Sequence, residues 1–305
     1  MAFQPAYLRL YQTGDLFARV DQAQELLGEC SVCPRECRVD RTAGVLGKCK
    51  VGEAPMVSAY YAHTGEEPPL VGVYGSGTIF FTGCNLACVY CQNYDISHHR
   101  MGEVVSTEAL AAMMVALQNR GCHNVNLVTP THQVPQILAA LPLAIERGLM
   151  VPLVYNCGGY ESLESLRLLD GVVDIYMPDL KYTDPEVGRE LSGVPDYPQR
   201  ARAAVAEMHR QVGDLVVDRR GIAQRGLIVR HLVLPGGLAG TAAVARFLAD
   251  EISPRTYLNL MDQYHPCFMA FDHPLLGRRL SEREFTEAVR AARDAGLTRL
   301  EGVPV

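Results

Sequence analysis

The sequence predicts an α/β protein, a partial (β/α)6 TIM-like barrel with a small N-terminal cysteine-rich metal-binding head. Three observations lead there. From about Gly77 onward, short runs rich in Val, Ile, Leu, Tyr and Thr alternate with polar turns and helical stretches, the pattern of parallel βαβ units. Polar and unusual residues gather directly after those runs, where a right-handed parallel barrel collects its functional loops. Four cysteines lie within residues 30–49 on a Pro- and Gly-containing framework with too few large apolar residues to form a core unaided.

Residues 5–27 read as one amphipathic helix, with Leu8, Leu10, Leu16, Phe17, Val20, Leu26 and Leu27 forming its apolar stripe. Predicted strands cover 78–83, 124–129, 151–156, 172–180, 227–234 and 256–262, each apolar enough for a sheet buried on both faces. Predicted helices cover 106–120, 134–148, 161–170, 197–212, 241–252 and 281–296, and Ser281 with Glu284 makes a capping box for the last. With no internal repeat and no low-complexity linker, the chain divides into a head at 1–60 and a barrel domain at 61–305.

The 305 residues are 48% hydrophobic and 20% charged, a globular composition large enough for one such domain. A formal net charge of -6 makes nucleic acid a poor partner. The first residues lack a signal-peptide layout and no run of apolar residues is long enough to span a membrane, so the expectation is a cytoplasmic protein without membrane contact. In a reducing compartment, ten cysteines point to metal binding rather than to disulfides.

The segment GCNLACVYCQNY places Cys84, Cys88 and Cys91 at CxxxCxxC spacing directly after the first predicted barrel strand. Three thiols on one loop can wrap a cuboidal iron–sulfur cluster, each on its own iron. The fourth iron is then open to chelation by amine and carboxylate groups. A zinc knuckle and three packed thiols are the other readings of this spacing, but His98 and His99 have no regular placement as additional zinc ligands. In the head, CSVCPREC followed by LGKC supplies Cys30, Cys33, Cys37 and Cys49, a four-thiolate set that suits structural zinc or an auxiliary iron–sulfur cluster.

The stretch FFTGCNLACVYCQNYDIS resembles the signature of the radical S-adenosylmethionine (SAM) superfamily, including the aromatic Tyr90 before the third cysteine. DIYMPDLKYTDPE, IVRHLVLPG and MDQYHPC are similar to segments of pyruvate formate-lyase activating enzyme, and an activating-enzyme-like branch shares the CPRxC head. The resemblance implies a [4Fe-4S] cluster on Cys84, Cys88 and Cys91 that reductively cleaves SAM to a 5′-deoxyadenosyl radical. That radical abstracts hydrogen from a substrate, with a reductant such as flavodoxin or ferredoxin as electron donor.

The resemblance further implies that Tyr90 lies near the adenine and that the loop after the second strand meets the methionine amino group. Relatives carry a Gly-Gly-Glu type sequence in that loop, whereas this chain has Thr129-Pro130-Thr131-His132, so Thr129 and Thr131 take the contact. Asn156 is a SAM contact, with Cys157 beside it. Asp179 and Lys181 alternate so that both face the barrel interior and orient SAM or substrate. Arg230 and His231 point to opposite faces, and Arg230 resembles the residue that meets SAM. His265 serves substrate or SAM. The substrate is either a protein, such as the glycine of a glycyl-radical enzyme, or a small molecule or amino acid. A non-enzymatic metal-binding protein is the reading from a different class.

Overall fold

The computed structural model describes residues 3–303. In chain order the strands are β1 (Met56–His63), β2 (Ser76–Phe81), β3 (Glu103–Val104), β4 (Val125–Val128), β5 (Leu153–Cys157), β6 (Ile175–Pro178), β7 (Val216–Val217), β8 (Ala223–Leu232), β9 (Tyr257–Met261) and β10 (Arg299–Glu301). Across the sheet they run β10-β9-β8-β6-β5-β4-β2-β1-β3, with β7 paired onto β8. The arc from β2 to β10 is parallel throughout. β1 is antiparallel to both β2 and β3, and the path does not close on itself.

Alternation along the strands explains why the runs are almost uniformly apolar. On β5, Val154 joins Ile175, Ile228 and Tyr257 inside the barrel, while Leu153 and Tyr155 pack outward under the helices. The helices Thr107–Asn119, Val134–Glu146, Leu163–Leu168, Tyr197–Val212, Thr241–Phe247 and Glu282–Asp294 fall within the predicted spans. Ser281 and Glu284 form the expected reciprocal capping box. The partial barrel of six strand–helix units is therefore the observed fold, with β10 added after the last helix.

Three features differ from expectation. The N-terminal helix is two, Tyr7–Thr13 and Asp15–Glu25, because Gly14 adopts φ 83° and ends the first. The boundary at residue 60 falls inside β1, and Leu27, Cys30 and Val32 of the head share one core with the barrel. An unforeseen helix, Pro185–Ser192, follows β6; it starts on the Asp184 cap with Pro at its first turn and stops at Gly193 in the left-handed conformation. Its C-terminal end grips the cysteine loop.

Arg41 shows how firmly the head is seated. It is 1% exposed, and its guanidinium donates to the Gly52 carbonyl at 2.7 and 3.1 Å and to the His132 carbonyl at 2.9 Å. Among the described residues no helix is long and apolar enough to cross a membrane.

Candidate active site

After β2 the chain turns through Gly83 at φ +81°, where a side chain would place Cβ 2.6 Å from the Cys49 carbonyl oxygen of the head. Only glycine fits there. Cys84, Cys88 and Cys91 follow and line one cavity of about 230 Å³ at the C-terminal ends of the strands. The carbonyls of Leu191 and Ser192, free at the end of their helix, accept from the N–H groups of Val89 at 2.9 Å and Ala87 at 3.1 Å and so fix the loop.

Each of the three sulfurs has a partner. The Leu86 N–H donates to Cys84 Sγ at 3.4 Å, Ser192 Oγ lies 3.0 Å from Cys88 Sγ, and Ser97 Oγ lies 3.1 Å from Cys91 Sγ. All ten cysteines are unpaired. Burial pushes the Cys84 and Cys88 thiols upward, so bare thiols here resist ionising, and bound iron supplies the positive charge that holds such sulfurs as thiolates. Among the described residues no three His, Cys, Asp or Glu side chains converge on one ion. A cuboidal cluster takes one thiolate per iron, and three cysteines that line one cavity, each with a hydrogen-bond partner, are the donor set it requires.

The opposite wall is charged. Asp179 accepts from Lys181 Nζ at 2.7 Å on one oxygen and from Arg230 Nε at 2.9 Å on the other, and Arg230 also donates to Asn156 Oδ1 at 2.7 Å. Burial alone would push the Asp179 carboxyl up, but Arg230 and Lys181 outweigh it and hold it below the usual carboxylate range. Behind Arg230 sit Glu66, 3.7 Å away, and Glu67, 4.0 Å away, delivered by the loop after β1. Burial raises Glu66 to about 7, Arg230 opposes this, and Glu67 reinforces it. Glu67 Oε2 and both amide atoms of Asn126 are buried without a protein partner.

Tyr90, Thr129, Asn156, Asp179, Lys181 and Arg230 all line the cavity that the three cysteines line. Thr129 does so at φ +59°, rare for a β-branched residue. Thr131, expected beside it at the cofactor, instead donates to Glu161 Oε1 at 2.7 Å and is buried away from the cavity wall. The cause is Glu161, which needs donors in an apolar setting and also takes the Tyr155 hydroxyl at 2.8 Å. His265 is exposed and turned to the Gln263 carbonyl; Met261 and Gln263 line the cavity in its stead. His231 faces the helices, bonded to the Leu180 carbonyl at 2.5 Å and to Thr241 Oγ1 at 2.9 Å.

Ser97, Ser192, Tyr182, Glu66 and Glu67 carried no signal in the sequence. A lone serine, or a pair of glutamates after a strand, has no motif to mark it. In the head, burial pushes the Cys33 thiol up to about 12, with smaller upward pushes from Cys49, Cys30 and Cys37, and a backbone N–H from Lys48 reaches Cys37 Sγ at 3.3 Å.

Fold and site together define an α/β partial-barrel protein with three cysteines on one loop at the mouth of the barrel. Residues 78–219 match the sequence profile of the radical SAM superfamily. An uncharacterized protein of Methanocaldococcus jannaschii is 31% identical over 283 residues, 90% of this chain and 77% of its own. The fold is similar to that of a radical SAM methyltransferase from Sphaerobacter thermophilus, with a TM-score of 0.50 and 16% identity over 73% of this chain and 65% of that one. This chain thus spans just under two thirds of the methyltransferase's length. The chain belongs to the radical SAM superfamily, whose members use a [4Fe-4S] cluster and SAM.

Proposed function

We propose that Cys84, Cys88 and Cys91 hold the [4Fe-4S] cluster and that SAM occupies the cavity they line, opposite Asn156, Asp179, Lys181 and Arg230. The observation that carries this reading is that one cavity brings all three cysteines together with that charged wall. When bound, the cluster supplies the electron that breaks a carbon–sulfur bond of SAM and yields a 5′-deoxyadenosyl radical. The protein's part is orientation. Lys181 and Arg230 offer donors to a carboxylate, Asp179 keeps both in place, and Tyr90 supplies an aromatic face beside the third cysteine.

The test is anaerobic reconstitution followed by reduction with SAM. The expected products are 5′-deoxyadenosine and a cluster electron paramagnetic resonance signal altered by SAM, both lost in Cys88→Ala; absence of both in the native chain rejects the reading and leaves a non-enzymatic metal protein.

For the substrate, the buried ion network favours a small molecule with charged groups, since anchors of this kind suit a compact polar ligand. A glycyl-radical enzyme, the target implied by the activating-enzyme resemblance, is the competing reading. Hydrogen abstraction from a peptide carrying a glycine loop, with none from free amino acids, would decide for it. Flavodoxin or ferredoxin is the proposed electron donor. For the head we propose one metal centre on Cys30, Cys33, Cys37 and Cys49, zinc or an auxiliary cluster, supported by the backbone N–H groups directed at Cys33, Cys37 and Cys49. Zinc and iron analysis of Cys33→Ala against the native chain tests it, and equal metal content overturns it.

A further inference from the structure

Arg35 belongs to the head, two residues beyond Cys33, but its guanidinium reaches out of it. Nε donates to the Asn85 carbonyl at 2.8 Å, inside the cysteine loop, and the two terminal nitrogens donate to the carbonyls of Gly193 at 2.9 Å and Ser192 at 3.4 Å. Those last carbonyls close the helix Pro185–Ser192, where carbonyls lack helical partners and a cation is favoured by the helix dipole. One arginine therefore ties the head, the cysteine loop and the helix end together.

The side chain held in this way is Ser192. It is fully buried, and its hydroxyl sits 3.0 Å from Cys88 Sγ and 2.8 Å from the Tyr182 hydroxyl, which is in turn 2.5 Å from that of Tyr90. A thiolate has no proton to give, so once Cys88 ligates iron only Ser192 can donate between the two. On its other side Ser192 Oγ meets the Tyr182 hydroxyl, which donates to that of Tyr90.

Building on the cluster assignment above, we propose that Arg35 and Ser192 are positioning residues that set the reduction potential of the cluster, Arg35 by holding Ser192 where its hydroxyl donates to Cys88 Sγ. A hydrogen bond to a ligating sulfur stabilises the reduced, more negative cluster and raises its potential. The cysteine-rich head thereby acts on the electron-accepting step without entering the cavity, which Arg35 does not line.

The experiment compares the native chain with Ser192→Ala, Ser192→Thr, Arg35→Ala and the Ser192→Ala/Arg35→Ala double variant. Each is reconstituted anaerobically without SAM, assayed for iron and labile sulfide, and titrated reductively with the reduced-cluster resonance as readout. A native chain that takes up no iron rejects the cluster assignment itself. With iron present, the expected result is a more negative midpoint for Ser192→Ala, a native-like midpoint for Ser192→Thr, and a shift of the same sign for Arg35→Ala. The double variant should match Ser192→Ala, because Arg35 acts through Ser192. Loaded clusters with one common midpoint overturn the inference, and fully additive shifts overturn the role of Arg35. Should Ser192→Ala fail to load, Ser192→Gly takes its place, with a shift of the same sign expected and an unchanged midpoint overturning the proposal.

Discussion

Asp179, just beyond β6, and Arg230, within β8, meet Oδ1 to Nε at 2.9 Å across neighbouring strands, 51 positions apart in the chain. This contact puts a guanidinium at the cavity floor and leaves Asp179 shared between two cations. Removing the carboxylate leaves Lys181 without its ion partner and Arg230 with only the more distant Glu66 and Glu67.

Asp179→Asn should therefore cost about 3 kcal/mol, the order found when one member of a buried ion pair is removed. Because the folded carboxyl lies below its ordinary range, the stabilisation is present above the unfolded carboxylate value and is lost as pH falls through the folded one. Denaturant titration of both proteins should show the gap at pH 7 and its closure below about pH 4.

Glu161 behaves oppositely. Burial raises its carboxyl to about 7, and donors from Thr131, Tyr155 and Cys157 only partly offset that. Between the unfolded carboxyl value and about 7 the folded chain binds more protons than the unfolded one, so stability falls as pH rises through that interval. Asp174, also raised to about 7 by burial, adds to the slope. Glu161→Gln should flatten the stability profile between about pH 5 and 7, as measured by thermal unfolding in matched buffers; an unchanged slope would show that Glu161 stays ionised.

Thr129 holds φ +59° at the cavity wall, and a left-handed backbone costs a non-glycine residue roughly 1–2 kcal/mol. Thr129→Gly should raise stability by about 1 kcal/mol while weakening SAM binding, read from the melting temperature and from equilibrium binding to the reconstituted protein. A loss of stability would show that the hydroxyl matters to the fold more than the strain does.

Gly83→Ala should do the reverse. Its Cβ would lie 2.6 Å from the Cys49 carbonyl oxygen at a positive φ, so the head and the cysteine loop must separate. The expected cost is about 2–4 kcal/mol, combining the left-handed backbone penalty with overpacking. Iron content after reconstitution should fall along with the melting temperature.

The order of elements was legible because each parallel strand, covered on both faces, has to be a continuous apolar run, as in VPLVYN and LIVRHLVL. β1 was not, since its exposed Tyr61 and Ala62 and half-buried Ser58 and Tyr60 give no run of either kind. Thr131 was assigned to the cofactor from loop position alone. Its engagement with Glu161 depends on a residue 30 positions away. His265 was assigned to the site from its segment, but the chain there turns the adjacent Tyr264 inward against Tyr90, at 6.2 Å between ring centroids, and leaves the histidine at the surface.

By itself, the sequence determined the fold class, the superfamily signature around Cys84, Cys88 and Cys91, and the inward alternation of Asp179 and Lys181, because spacing and periodicity are local properties of a chain. Only the tertiary structure decided what surrounds those sulfurs and charges: Ser192 at Cys88, Ser97 at Cys91, Glu66 and Glu67 behind Arg230, and Arg35 reaching from the head to the helix end. Apart from Ser97, only six positions from its cysteine, these contacts join residues far apart in the chain. Hydrogen bonds and ion pairs act over a few ångströms, so no local pattern records them until the barrel brings the partners together.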